Sequence, residues 1–527
     1  MNLVRTTARV PSPFCAGLLL ASLGASLLLA GQSAGPTTGD ANALIKKADK
    51  LYESGDLNGA VSSYRQAASF KPNDPEVLFK LGLALADQEH LDEAAANYEK
   101  AAALYQKMPG QRFNYAVTSN NLGLVYYRQG RLDDALARID LAIATWPRTA
   151  DWYASRGIVL EAKGKLEEAI EAYRKAVALA PRSADALAKL GAALQKKGQF
   201  DEAVSVLQRA VLAKPFDPDV FATLGDALAA KNQLDDAISA YARSLELHPD
   251  TPTVLYSLGN LQQRKGNTGE AIRDLQRANQ LQPNDPDTLL GLGNALTQAG
   301  RAAEAIPLLE VAQKARPERA DLRLALGNAL TAAGRSADAI PLLRAALAAR
   351  PDFPEASESL GVALLARSDF AGARAALESA LKAHPEGAEL HNNLGLALAG
   401  QRKFAEALAE YRRALDLNPQ YADALANHAV ALTLTGRQME AVPEFHKALE
   451  LQPHNLKAQA NLAAALFDLR RYRESSEAWA KAVALSPDDA DLHYNLGLTL
   501  EKAGRAEEAR KAFAEARRLN PKLPAHP

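Results

Sequence analysis

The sequence predicts an all-α protein built as a solenoid of repeated helix-turn-helix units. Three observations predict it: an overt 34-residue period, a composition rich in helix formers, and Gly and Pro placed where helices must stop. At about 150 residues per domain a chain of 527 residues would otherwise divide into three or four globules, so the period decides the architecture. Hydrophobic residues make up 48% of the chain and aromatics only 6%, with Ala and Leu dominant. Both are strong helix formers, and β-branched residues are comparatively sparse, which favours helix over sheet. Lys plus Arg number 61 against 62 Asp plus Glu, leaving no bulk positive charge for gripping nucleic acid or an anionic membrane.

Taken in chain order, residues 1–34 read as an address. Arg5 and Arg9 precede an apolar run from Phe14 to Ala30, and small and polar residues follow through Gly31, Ser33, Ala34 and Gly35. That is the pattern of a secretory signal peptide. The run is shorter than the roughly 20 residues a spanning helix wants. Two outcomes stand: cleavage near the end of the run, or retention of residues 14–30 as an N-terminal membrane anchor. Either places the body of the chain outside the cytoplasm, periplasmic or extracellular. The single cysteine, Cys15, lies in this run, so the rest of the chain has no disulfide, thiol nucleophile or thiolate metal site. Residues 35–40 read as a linker.

From Ala41 the period takes over. Repeats begin at 41, 75, 116 and 150 and then every 34 residues to 490, with one seven-residue insertion in the second. Fourteen repeats and the insertion fill residues 41–523, and 524–527 remain as a tail. Position eight is Gly in eleven repeats and Ala in three (Ala48, Ala429, Ala463). Position twenty is Ala except at Ser475, position twenty-seven is Ala except at Ser244, and position thirty-two is Pro in thirteen repeats. The first stretch of a repeat, such as Pro286 to Thr297, has apolar residues at helical spacing and ends towards Gly300, which can take the left-handed conformation that stops a helix. A second helix then runs towards the proline, which cannot continue it. Ten repeats carry Asp or Glu at position two and five open with Pro, both signals of a helix start. The small residues at eight, twenty and twenty-seven predict close helix–helix approach, where a larger side chain would overpack the contact by about 1–3 kcal/mol.

This pattern resembles the tetratricopeptide repeat family over about nine-tenths of the chain. The resemblance implies antiparallel helix pairs stacked into a right-handed superhelical solenoid whose concave face is lined by the first helix of each pair. It also implies a contact surface and no chemistry of its own. In the last repeat, positions held by Leu408 and Leu415 three repeats earlier become Arg510 and Arg517, which reads as a polar cap closing a complete array.

No phosphate-cradling loop, helical H-E-x-x-H, nucleophile elbow or EF-hand loop occurs, and the expectation is a non-enzyme without cofactor or metal. His384 with His391, and His446 with His454, read as helix-end or surface residues. The carboxylate pairs Asp133–Asp134 and Glu167–Glu168 read as solvated helix starts.

Two asparagine series are the candidate partner-binding residues. Asn260, Asn294 and Asn328 fall at position nine of successive repeats, with Asp226 before them; Asn393, Asn427, Asn461 and Asn495 fall at position six of the last four. An amide both donates and accepts, so a row of them can bond the backbone of an extended peptide without reading its side chains. The alternative is that these amides bond neighbouring helices. The family's carboxylate clamp wants Lys at position five before Asn at nine, and here Tyr256, Leu290 and Leu324 stand there. The insertion, around Tyr105 to Tyr115, is expected to lengthen the second helix or its exit loop. Tyr98, Tyr126, Tyr127, Trp146 and Trp152 cluster near it, either as packing for an irregular repeat or as a binding patch that includes Tyr127.

The expected function is a non-catalytic scaffold binding other proteins or peptides in a concave groove, with no nucleic acid and with membrane contact only through an uncleaved N-terminal segment. Self-association stays open. The alternative is a structural component of an envelope polysaccharide-export or outer-membrane assembly system.

Overall fold

The computed structural model describes residues 38–524, so the stretch 1–34 read above as a signal peptide, with Cys15, and the last three residues lie outside it. Among the described residues there are 28 α-helices and no strand. Repeats 4 to 14 each supply a first helix of 13 residues and a second of 14, as in Pro286–Gln298 followed by Ala302–Ala315. The first helix among the described residues, α1 (Thr38–Glu53), starts within the stretch read as a linker, with Asp40 in its first turn.

Local chemistry sets the boundaries. Asp74, Asp217, Asp285 and Asp489 stand just before first helices and accept hydrogen bonds from backbone N–H groups of the opening turn. At position fifteen the chain must turn with positive φ, and Gly fills that place in nine repeats, for example Gly300 at 75° and Gly334 at 76°. Glu89, Asn232, Ser368, Arg402 and Arg470 hold the same left-handed conformation without that freedom. Second helices end two residues before the repeat's proline, as at Leu281 before Pro283.

The small residues do bring helices together. A Cβ on Gly225 would lie 2.7 Å from the Tyr241 ring, one on Gly395 2.5 Å from Tyr411, and one on Gly293 2.5 Å from Leu309. Position eight is thus the floor on which the large residue at position twenty-four rests. Ala60, Ala67, Ala94, Ala101, Ala305 and Ala312, at positions twenty and twenty-seven, are fully buried.

The described helices divide after residue 199 into two compact units, and the boundary falls between the two helices of repeat 5. In the first, a core around Tyr64, Leu85, Tyr98, Leu122, Tyr126 and Ile139 runs through repeats 1 to 4. In the second, one core runs from Ala271 to Ala431 and another from Ala429 to Leu492. Within each unit the first helices of successive hairpins touch, from repeat 3 to repeat 5 and from repeat 6 to repeat 13, whereas second helices of successive hairpins make at most marginal contact. A stack with that asymmetry bends with its first helices on the inside.

The insertion lengthens the second helix, as the sequence reading expected, and also the first helix of the next repeat. The second helix of repeat 2, α4 (Leu91–Lys107), and the first helix of repeat 3, α5 (Arg112–Arg128), are each 17 residues long, so α4 gains three residues at its end and α5 gains four at its start. The extra residues prolong both helices because Tyr105 and Phe113 have apolar surface to pack on: Tyr105 is buried with Leu78 and Ala101, and the Phe113 ring lies 5.5 Å from Trp146.

Candidate binding face

In a first helix such as Pro286–Gln298, Leu289, Leu292, Gly293, Ala295 and Leu296 are buried, which leaves Asp287, Leu290, Asn294, Thr297 and Gln298 along one accessible stripe. Positions two, five, nine, twelve and thirteen therefore make the inner face, and position six sits in the crevice towards the preceding first helix.

The predicted asparagines fall on this face and divide into two groups. Asn427 donates from Nδ2 to Asn392 Oδ1 at 2.9 Å, and Asn392 donates to Asn393 Oδ1 at 3.5 Å. Asn260 is hydrogen-bonded to the Tyr256 hydroxyl, and its Oδ1 covers Gly291 of the next repeat so closely that a Cβ there would lie 2.8 Å away. Asn427 and Asn260 thus reach across to a neighbouring first helix, whereas the Asn392–Asn393 bond lies within one helix. Asn294, Asn328, Asn461 and Asn495 make no side-chain hydrogen bond among the described residues, and Asn294 and Asn461 are exposed. Tyr127, at position twelve, is half-buried against the core of repeats 2 to 4. Of its aromatic neighbours, Tyr98, Tyr105, Tyr126 and Trp152 are buried, so most of that cluster is packing; Trp146 is exposed.

Carboxylates on this face meet two kinds of environment. The Tyr64 hydroxyl donates to Asp49 at 2.6 Å, Tyr173 to Glu161 at 2.8 Å and Tyr241 to Asp226 at 2.5 Å. Burial pushes all three phenols well above their ordinary range, and the neighbouring carboxylates add to the shift. Asp226 is open to solvent on one side yet crowded by protein, which raises its carboxyl; the bond from Tyr241 offsets part of that. Arg319 spans Asp287 and Asp321 at 2.5 and 2.6 Å, and its hydrogen bonds hold the Asp321 carboxyl below the usual range.

Beyond repeat 9 that neutralisation stops. Glu355, Glu358, Glu389 and Asp423 make no ion pair among the described residues. Burial, with the charges of Glu389 and Glu355, pushes the Glu358 carboxyl up, and His384 offsets part of it. Glu358, Glu389, His384, Asn418 and Tyr421 line a hollow of about 730 Å³ at the loop end of repeats 10 and 11. Sequence reading passed over this site although a signal was present: Glu358 is the one carboxylate at position five in the fourteen repeats. It also passed over His428, 2% exposed, whose Nδ1 lies 2.6 Å from Glu444, and it read His391 as a helix-end or surface residue where the structure places its ring between Glu410 at 2.7 Å and the Pro385 carbonyl at 3.0 Å.

Among the described residues no group of three or more His, Cys, Asp or Glu side chains is placed to hold a metal ion, and no helix is long and apolar enough to cross a membrane.

Comparison with known families agrees with this geometry. Models described as tetratricopeptide repeats match residues 48–89, 75–148, 363–422, 392–456 and 460–524, and the model of the Cilia and flagella-associated protein 70 C-terminal domain matches residues 151–358. The chain has the architecture of the tetratricopeptide-repeat family. Solved structures similar to it include the APC/C hetero-tetramer Cut9-Hcn1, 14% identical over 92% of this chain and 94% of that one at a TM-score of 0.43. Pseudomonas aeruginosa pilF is 22% identical over 40% of this chain and 96% of that one at 0.37, and yeast Tom70 is 16% identical over 76% and 96% at 0.35. No curated protein matches the chain in sequence.

Proposed function

We propose that this protein is a non-catalytic scaffold that holds polypeptide segments along the first-helix face of its repeats. One observation carries the reading: in two rows of inner-face amides, Asn294, Asn328, Asn461 and Asn495 are held on rigid helices with no protein partner for their donors and acceptors. Such groups are satisfied by water in the free chain and by a peptide backbone when one lies across them. Contacts repeated along many hairpins assemble affinity from individually weak interactions. The N-terminal segment supports export of the chain, and N-terminal sequencing of the mature protein decides between cleavage after the apolar run and a retained anchor.

A photo-crosslinking side chain placed at Asn294 or Asn461 in the full-length protein tests the reading, with one at the exposed second-helix residue Arg412 as control. Polypeptide adducts are expected from the two inner positions and not from the control, and they are expected to weaken when the four open asparagines become alanine. Equal labelling from all three positions, or labelling that ignores the alanine changes, sinks it.

A further inference from the structure

The inner face of the second unit changes character at repeat 10. Position nine is Asp226, Asn260, Asn294 and Asn328 in repeats 6 to 9, then Val362, Leu396, Val430, Ala464 and Leu498. Position thirteen adds Leu434. Val362 is 37% and Leu434 61% exposed, and in the described chain nothing covers them. One helical turn away, about 6 Å along the axis, position five carries Glu358, and about two turns away, some ~10 Å, position two carries Glu355, Glu389 and Asp423. The position-two acids of the two preceding repeats, Asp287 and Asp321, share Arg319; these four share no cation of comparable standing.

We propose, resting on the scaffold function above, that the first-helix face of repeats 10 to 12 docks an extended polypeptide segment bearing a Lys or Arg beside apolar residues. Its cation seats against Glu358 and Glu389, and its apolar side chains lie on Val362, Leu396, Val430 and Leu434. The occupant follows from complementarity. Carboxylates that raise one another's energy in a protein-lined hollow are relieved by a cation from outside, and an apolar strip beside them gains most from apolar side chains. The hollow of about 730 Å³ has room for a long basic side chain, and the Tyr421 ring in its wall suits the stem and cation of such a residue. The spacing also fits. In an extended chain, residues two apart project to one side about 6–7 Å from each other, and the segment runs across the first helices from repeat to repeat. Packed helices lie about 8–10 Å apart, so some three residues of the segment cross each repeat.

Panning a phage-displayed library of random dodecapeptides against the full-length protein tests this, followed by titration of the enriched peptides. Enriched peptides are expected to carry Lys or Arg within two residues of Leu, Ile, Val or Phe. Their affinity is expected to fall about tenfold in the Glu358→Gln, Glu389→Gln double variant and to weaken in 0.5 M NaCl. Leu434→Ser, an exposed change that leaves helicity and melting unaltered, is expected to cost about tenfold as well. Enriched peptides without a basic residue, or peptides whose binding ignores both variants, overturn this proposal and leave the scaffold reading standing. No enrichment at all overturns both.

Discussion

Repeats 6 to 9 and repeats 10 to 13 are built on one plan and present different surfaces. In both, a second helix lays a large residue on a small one of the first helix: Leu309 on Gly293, Tyr411 on Gly395. In the first group the open stripe carries an acid, amides and an arginine that neutralises neighbouring aspartates; in the second it carries aliphatic side chains and unpaired carboxylates. Packing therefore fixes positions eight, twenty and twenty-seven, while positions two, five, nine and thirteen vary without disturbing it. What varies along a rigid frame is what the frame displays.

The sharpest way to break that division is to attack the shared frame. Gly293→Val and Gly395→Val should each destabilise their region by about 1–3 kcal/mol, because a branched side chain must displace the residue resting on it. The two losses should be similar despite the different surfaces above them, measured as the shift in denaturant midpoint. Alanine is the wrong probe: Ala48, Ala429 and Ala463 already lie beneath Tyr64, Phe445 and Trp479, so one methyl is accommodated. If Gly395→Val proves harmless, position eight is not the floor of the packing.

How much of this was legible in the sequence follows from the same division. Gly82, Gly225 and Gly395 recur because their environment recurs, so the fold could be read from a single period. The insertion was harder, since seven residues can extend either neighbour and only the packing of Tyr105 and Phe113 decides that both helices grow. The asparagine rows were visible as rows, but whether each amide is engaged was not. Asn260 is tied down because Gly291 lets it lie across the next helix, and Asn427 because Asn392 faces it. Glu358 escaped notice because one exception among fourteen looks like noise until its neighbours in space, Glu389 and Tyr421, are known.

A second contrast concerns carboxylates at position twenty-three. Glu410 and Glu444 have His391 and His428 as partners at 2.7 and 2.6 Å, whereas Asp274 of repeat 7 has none and stands where repeats 8 and 9 place Leu308 and Leu342. Burial pushes the Asp274 carboxyl up to about 6; Arg273 offsets part of this and Glu270 adds to it. Its folded pKa thus lies above its unfolded one. The native state holds the proton better, so this stabilising contribution is complete below about pH 4 and is lost as pH rises through about 6. Asp274→Asn should therefore stabilise the protein at pH 7.5 by about 1 kcal/mol, a figure reduced for partial exposure, and confer nothing at pH 3.5. Thermal melts of both proteins at the two pH values check it; a gain that persists at pH 3.5 assigns the effect to packing instead of charge.

The smallest expected effect decides whether the inner rows are display or structure. Asn294→Val writes the later surface into the earlier region, and Val362→Asn does the reverse. Asn294 is exposed without a partner and Val362 is 37% exposed, and Asn and Val have similar helix propensity. Each swap should change stability by no more than about 0.5 kcal/mol, because neither removes a buried contact or a hydrogen bond within the chain. Peptide binding should respond where melting does not: Val362→Asn weakens the basic, apolar segments proposed for repeats 10 to 12, and Asn294→Val leaves them unaffected. A loss of 2 kcal/mol or more from Val362→Asn would mean, on the scale of core truncations of about that size, that the aliphatic row belongs to the frame after all. The difference between the two regions would then lie in how they are built, not in what they hold.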